Sequence, residues 1–141
     1  MVPPVFADPA VIARVLTDSH LWFMVGLSNN TARAAYGVAD VARNRGKTVV
    51  PVHPSAPVVA GIQGFATLAE AAAVHGAPDV VDLFVNSTIV GPVIDQAVEV
   101  GAKAVWLQLN VIDIPAATRA ADAGVDVVMD RCPAIEWPRL T

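Results

Sequence analysis

Four stretches of the chain share one arrangement of apolar and polar positions: an alanine-rich run with helical spacing, a glycine, and then a short block of β-branched residues. They read ARNRGKTVVPV, AAVHGAPDVVDLFV, AVEVGAKAVWLQL and ADAGVDVVMD. Gly46, Gly76, Gly101 and Gly124 stand where a helix ends in a left-handed residue, a conformation that glycine adopts without a Cβ penalty. Each marks a helix-to-strand turn.

The blocks that follow predict strands over Thr48–Val52, Val80–Val85, Ala104–Leu109 and Val125–Met129, and Leu21–Gly26 precedes the first of these helices. Their Val/Ile/Leu runs are nearly continuous rather than alternating, as in strands covered on both faces of a parallel sheet. Five strands alternating with helices define the fold class: an α/β, doubly wound sandwich with a mostly parallel five-stranded sheet.

Helix starts agree with this reading. Ser87 or Thr88 is placed to cap a helix with Pro92 in its first turn, and Pro115 suits the opening of the next, where a missing N–H costs nothing. Val90, Val93, Ile94, Ala97 and Val98 form a core-facing stripe. A further helix is expected at about residues 8–18, on the outside. The segment PVHPSAPVVAGIQGFATLAEAA breaks the rhythm with its prolines and glycines, and predicts a long loop leading to a short helix from Leu68.

A length of 141 residues suits a single domain over 1–141. The chain is 55% hydrophobic, yet no apolar run reaches the roughly 18 residues of a membrane span, so that content belongs to a packed interior. The amino-terminal MVPPVFADPAVIARVL lacks the basic start and unbroken apolar centre of a secretory signal, which makes a cytoplasmic protein the expectation. One cysteine and three scattered histidines offer no zinc spacing, and no metal is expected. A net charge of −4 argues against a nucleic-acid partner. The charge is uneven, however: residues 1–70 carry five Lys/Arg against four Asp/Glu, and residues 71–141 carry four against nine. An anion is better received in the first half.

In an open parallel sheet, ligands bind beyond the carboxyl ends of the strands. The first such loop, VGLSNNTARAAYG, carries Gly26 for close backbone approach, Ser28 and Thr31 as hydroxyl donors, and Arg33 for a bidentate contact. It opens a helix whose free amides and dipole attract phosphate. Loop chemistry alone equally allows a capped connection with Ser28 or Thr31 as the N-cap. A dinucleotide enzyme would need further glycines at Ser28 and Thr31 and an acid after the second strand, which instead ends Val52–His53–Pro54.

Taken together, VGLS at 25–28 with Arg33, PVHP at 51–54, GIQGFATL at 61–68, DVVDLF at 79–84, AVWLQL at 104–109 and VVMDRC at 127–132 resemble the small bacterial CoA-binding proteins related to the CoA-binding domain of succinyl-CoA synthetase alpha subunits. The resemblance implies a Rossmann-like fold that binds coenzyme A or an acyl-CoA. By position it puts Gly26, Leu27, Ser28 and Arg33 at the pyrophosphate and His53 beside the adenosine. It puts Phe84, Val85, Asn86 and Ser87, with Gln108, along the remaining ligand. The chain departs from the usual family pattern at Val85 (arginine), His53 (asparagine) and Asn110 (glycine).

Elsewhere the bland readings prevail. Cys132 is expected as a small buried hydrophobe, Trp106 as core, and His75 as a cation suited to a helix end, while His20 carries no signal. Asp79 and Asp82 read as solvated strand ends, and Asp130–Arg131 as an ion pair. No nucleophile, base and orienting acid can be assembled, so the expectation is a binding protein and not an enzyme. The alternatives are an NAD(P)-binding oxidoreductase and a degenerate scaffold acting through protein contacts. Apolar helix faces leave a homo-oligomer open.

Overall fold

Strands that are apolar on both sides need a helical layer on each face, and the computed structural model, which describes residues 2–140, has that arrangement. A 3₁₀ turn at Pro4–Ala7 leads into α1 (Pro9–Asp18), β1 (Leu21–Val25), α2 (Ala34–Asn44) and β2 (Thr48–Val52). A small hairpin, β3 (Val58–Val59) and β4 (Ile62–Gln63), precedes α3 (Leu68–His75) and β5 (Val80–Leu83). Then come α4 (Val90–Glu99), β6 (Ala104–Leu107), α5 (Ile114–Asp122), β7 (Asp126–Val128), α6 (Pro133–Glu136) and a closing 3₁₀ turn at Trp137–Leu140.

The main sheet is parallel throughout, in the order β2-β1-β5-β6-β7. Strand order therefore reverses between β1 and β5. The side chains of Phe23, Val50, Val81, Leu83, Val105 and Leu107 pack under α3, α4 and α5. Their neighbours Trp22, Met24, Val49, Val80, Ala104 and Trp106 pack under α1, α2 and α6. On the second face Trp22 lies against Trp137 (5.4 Å between ring centroids) and Trp106 (6.3 Å). The indole N–H groups of Trp22 and Trp106 reach Ser19 Oγ and the Arg131 carbonyl, each at 2.8 Å, so these large rings are buried without orphaned donors.

Both sheet edges are covered. Phe65 runs beside β2, its amide donating to the Pro51 carbonyl at 3.0 Å and its carbonyl accepting from His53 at 2.9 Å. At the other edge the Met129 amide donates to the Phe6 carbonyl at 2.8 Å. Neither edge is left as a bare template for another strand.

The glycine-ended helices form as the pattern predicts: Gly46, Gly76, Gly101 and Gly124 all take positive φ, between 83° and 86°. α1 starts at a side-chain cap from Asp8, and α3 starts at Leu68 with Thr67 as its cap. Several details differ from the sequence reading. The long loop holds the β3–β4 hairpin, whose two-residue strands are too short to leave a periodic signal. Three of the strands end two residues or one residue sooner than their apolar runs: β5 at Leu83, β6 at Leu107 and β7 at Val128. Neither Ser87 nor Thr88 caps α4, whose N-cap is Ile89 with no side-chain bond.

Asp79, just before β5, and Asp82, within it, have separate fates. Asp79 is half-buried; burial alone would raise its pKa, but the amides of Leu21 and His20 and the Lys103 ammonium outweigh that and hold it below the usual range. Asp82 is not a solvated strand end. It is fully buried, in register between Met24 and Trp106, and neither side-chain oxygen has a hydrogen-bond partner by geometry among the described residues. Burial pushes its pKa well above the usual carboxylate range, outweighing the opposite influence of the adjoining Leu83 backbone. The Asp130–Arg131 pair is also absent: the Asp130 carboxylate accepts from the Asn110 amide at 2.7 Å, and the Arg131 guanidinium donates to the Asp130 carbonyl at 2.8 Å.

Candidate functional site

At the carboxyl ends of β2, β1, β5 and β6 the loops enclose a crevice of about 670 Å³. It lies over the strand-order reversal between β1 and β5, where a doubly wound sheet opens to a ligand. The volume falls within the roughly 300–1,000 Å³ of ordinary cofactor pockets. Backbone ladders continue just past the strands and fix its floor: the Gly26 amide donates to the Val52 carbonyl at 2.8 Å, and the Phe84 amide to the Val25 carbonyl at 3.0 Å.

One wall is the start of α2. Among the helices of eight or more residues, α1, α3 and α5 have amides capped by Asp8, Thr67 and Asp113. α2 and α4, which flank the crevice, have no side-chain cap. The N-cap of α2 is Arg33, and the amides of Ala34 and Ala35 at the crevice wall have no acceptor among the described residues. Their partial positive charge is therefore available to an anion. Arg33 is exposed, its guanidinium makes no hydrogen bond or ion pair among the described residues, and it is the sole lysine or arginine of the lining.

The loop before α2 is locally self-satisfied. Ser28 Oγ accepts from the Asn30 amide at 3.2 Å, Asn30 Oδ1 accepts from the Ala32 amide at 3.1 Å, and the Arg33 amide donates to the Asn30 carbonyl at 3.1 Å. Neither Ser28 nor Thr31 caps the helix. Ser28 lines the crevice, whereas Thr31 is exposed outside the lining. Leu27 turns its side chain away, fully buried in the core beneath α2.

His53 lines the crevice from the end of β2. Its Nδ1 accepts from the Ser55 amide at 3.1 Å, with Ser55 Oγ at 2.9 Å, which leaves Nε2–H as the donor of the neutral ring. Phe84, Val85 and Asn86 line it from the end of β5; Asn86 Oδ1 accepts from the Thr88 amide and hydroxyl, each at 2.9 Å. Ser87 lies outside the lining and ties two loops together, donating to the Asn110 carbonyl at 3.1 Å and accepting from the Ile112 amide at 2.9 Å. Gln108 lines the crevice from the end of β6, is 7% exposed, and has a buried Oε1 with no partner among the described residues.

The structure thus brings Gly26, Ser28, Arg33, His53, Phe84, Val85, Asn86 and Gln108 to one crevice and leaves the side chains of Leu27, Thr31 and Ser87 out of it. Thr67, the cap of α3, and Leu68, its first residue, Ile89, Val93 and Gln96 at and within α4, and Leu109 and Val111 after β6 join the lining without having been expected there. Thr67 has a sequence signal, the Thr-x-x-Glu of a capping box, but that signal speaks of a helix start, not of a site. Among the described residues no cluster of three or more His, Cys, Asp or Glu could hold a metal, and no helix is long and apolar enough to cross a membrane.

These features suit a negatively charged, elongated cofactor: open helix amides beside a free guanidinium, a glycine where backbones crowd, and an orphaned buried acceptor farther along. Comparison with known proteins agrees. The chain is 27% identical over 123 residues to the uncharacterized protein YneT of Bacillus subtilis, covering 87% of this chain and 89% of that one. It superposes on a hypothetical protein from Pyrococcus horikoshii with a TM-score of 0.89 at 30% identity, covering 99% of this chain and 96% of the other. A Thermus thermophilus structure with a TM-score of 0.86 and 23% identity, covering 95% and 99%, shares the fold. Residues 20–138 match the family described as the CoA binding domain, and the chain belongs to that family.

Proposed function

We propose that the crevice binds coenzyme A, or an acyl thioester of it, and performs no chemistry of its own. The observation that carries this is the start of α2: its amides are uncapped, and Arg33, the lone cation of the lining, stands beside them. A diphosphate there would gain the helix dipole and a bidentate guanidinium contact. In this reading Ser28 supplies a hydroxyl, His53 meets the adenosine, and Phe84 to Asn86 with Gln108 follow the rest of the ligand, all of them residues of the crevice lining.

A nicotinamide cofactor is less well served, because β2 ends at Val52 and is followed by His53, with no carboxylate there to grip a ribose diol. The non-catalytic reading rests on the lining itself. Its polar side chains hold no nucleophile with a base and an orienting acid, and the Ser55 hydroxyl near His53 belongs to a turn in which the same nitrogen accepts the Ser55 amide.

Calorimetric titration of the protein with CoA tests the reading. Binding is expected, with Arg33→Ala at least about tenfold weaker, which is the smaller end of a charge-assisted contact. Unchanged affinity in Arg33→Ala, or no heat from CoA at all, overturns it. Incubation with acetyl-CoA should leave the thioester intact; turnover would refute the non-catalytic part alone.

A further inference from the structure

The crevice has two chemically different halves. Around α2 it offers Arg33, open amides and Ser28; around α4 and the loops after β5 and β6 it has no lysine or arginine, and Val85, Ile89, Val93, Leu109 and Val111 line it beside the uncharged polar side chains of Asn86, Gln96 and Gln108. Building on the CoA reading above, we propose that this second half is an acyl site, so that the preferred ligand is a CoA thioester with an apolar acyl group and not free CoA.

The apolar rim is conspicuous because it faces solvent. Ile89 is 57% exposed and Leu109 45%. An apolar surface at the mouth of a pocket is what a ligand would cover. It is also held in place. The Ser87 hydroxyl bonds to the backbone of Asn110 and of Ile112, which clamps the loop carrying Ile89 to the loop carrying Leu109. The Asp130 carboxylate holds the Asn110 amide at 2.7 Å, and both residues are in the left-handed region, φ +59° and +66°. Two strained residues and a shared hydroxyl maintain a surface that, without a ligand, is only exposed hydrocarbon.

Gln108 supplies the direction. Gln108 lines the crevice, and its buried Oε1 lacks a donor among the described residues. Leaving a buried acceptor unpaired is costly, and the pantetheine arm of CoA carries amide N–H groups that would pair it. An arm held there passes Leu109, the next residue along, where the thioester and its acyl chain would meet the apolar rim. Nearby acids do not compete, because neither Asp130 nor Asp113 belongs to the crevice lining.

The test is calorimetric titration of the whole protein with CoA, acetyl-CoA and hexanoyl-CoA. Hexanoyl-CoA should bind at least about tenfold more tightly than CoA, with acetyl-CoA between them; covering two methylenes would suffice. In Leu109→Ser and Ile89→Ser, whose side chains are largely exposed in the wild type, the ratio of the two affinities should fall toward one. Equal affinities for CoA and hexanoyl-CoA in the wild type would refute the acyl site and leave the CoA reading standing. Binding of none of the three would overturn the CoA reading, and the acyl site with it.

Discussion

The carbonyl oxygen of Phe84 occupies the space where a side chain on residue 26 would begin: a Cβ built on Gly26 falls 2.7 Å from it. Gly26 also has φ +97°, a conformation that other residues rarely adopt. The strand-order reversal brings the exits of β1 and β5 side by side, and this glycine lets them touch. Gly26→Ala must move the Phe84 backbone as well as bear the strain, a cost of about 2 kcal/mol or more. The expected drop in melting temperature is roughly 4–8 °C, with CoA binding weakened further because both displaced loops line the crevice. A variant that melts and binds like the wild type would show that the two exits do not meet as described.

Asp82 makes stability depend on pH in the sense opposite to a paired carboxylate. Its folded pKa is raised by burial. Below the unfolded value, near 4, both states hold the proton and the site contributes no pH dependence. Above it the unfolded chain ionises while the folded chain stays protonated, so stability falls as pH rises, by at most about 1.4 kcal/mol per pH unit, until the folded pKa is passed. Asp82→Asn mimics the neutral acid. It should leave the melting temperature unchanged near pH 3.5, raise it at pH 8, and remove the slope between; equal slopes for the two proteins would sink the assignment.

Asp82 also shows where the sequence stops being informative. Its neighbours are as apolar as any central strand, and nothing in DVVDLFV distinguishes an acid facing Trp106 from one facing water. The helix ends were legible because a left-handed residue is a local requirement, met by glycine at Gly46, Gly76, Gly101 and Gly124. Strand ends were less so. Phe84 and Val85 look like a continuation of Val81 and Leu83, and only the reversal of the sheet makes them crevice residues. Arg33 stood out locally, as a lone basic side chain at a helix start. Val93 and Gln96 did not, since a stripe on α4 reads as core until the neighbouring layer is known. Ser87 misled for a related reason: a hydroxyl before a helix usually serves its own helix, whereas this one serves the next loop.

Ser87→Ala should therefore act at a distance from its own helix. The substitution removes bonds to the Asn110 carbonyl and the Ile112 amide, both in partly solvated positions, at a cost of about 1 kcal/mol. Hydrogen exchange at the Ile112 amide should accelerate while the amides of α4 keep their protection. Faster exchange confined to α4, with Ile112 unchanged, would mean that Ser87 is a helix cap after all.

Gln108 separates stability from binding. Its Oε1 is buried without a partner, so the ligand-free protein bears an unpaired acceptor. Gln108→Leu removes that acceptor and keeps most of the side chain's volume, in a region where Leu107 and Val111 already supply apolar neighbours. The ligand-free variant should melt higher, by roughly 2–4 °C for each kcal/mol recovered. It should also bind CoA more weakly, because the donor on the ligand loses its acceptor. The two shifts must be opposite in sign, as expected where a fold carries an unmet polar group for the sake of a ligand. A variant that loses stability and binding together would make Gln108 a structural residue of the turn after β6, and a variant that gains stability while binding CoA as tightly as the wild type would remove it from the ligand's path.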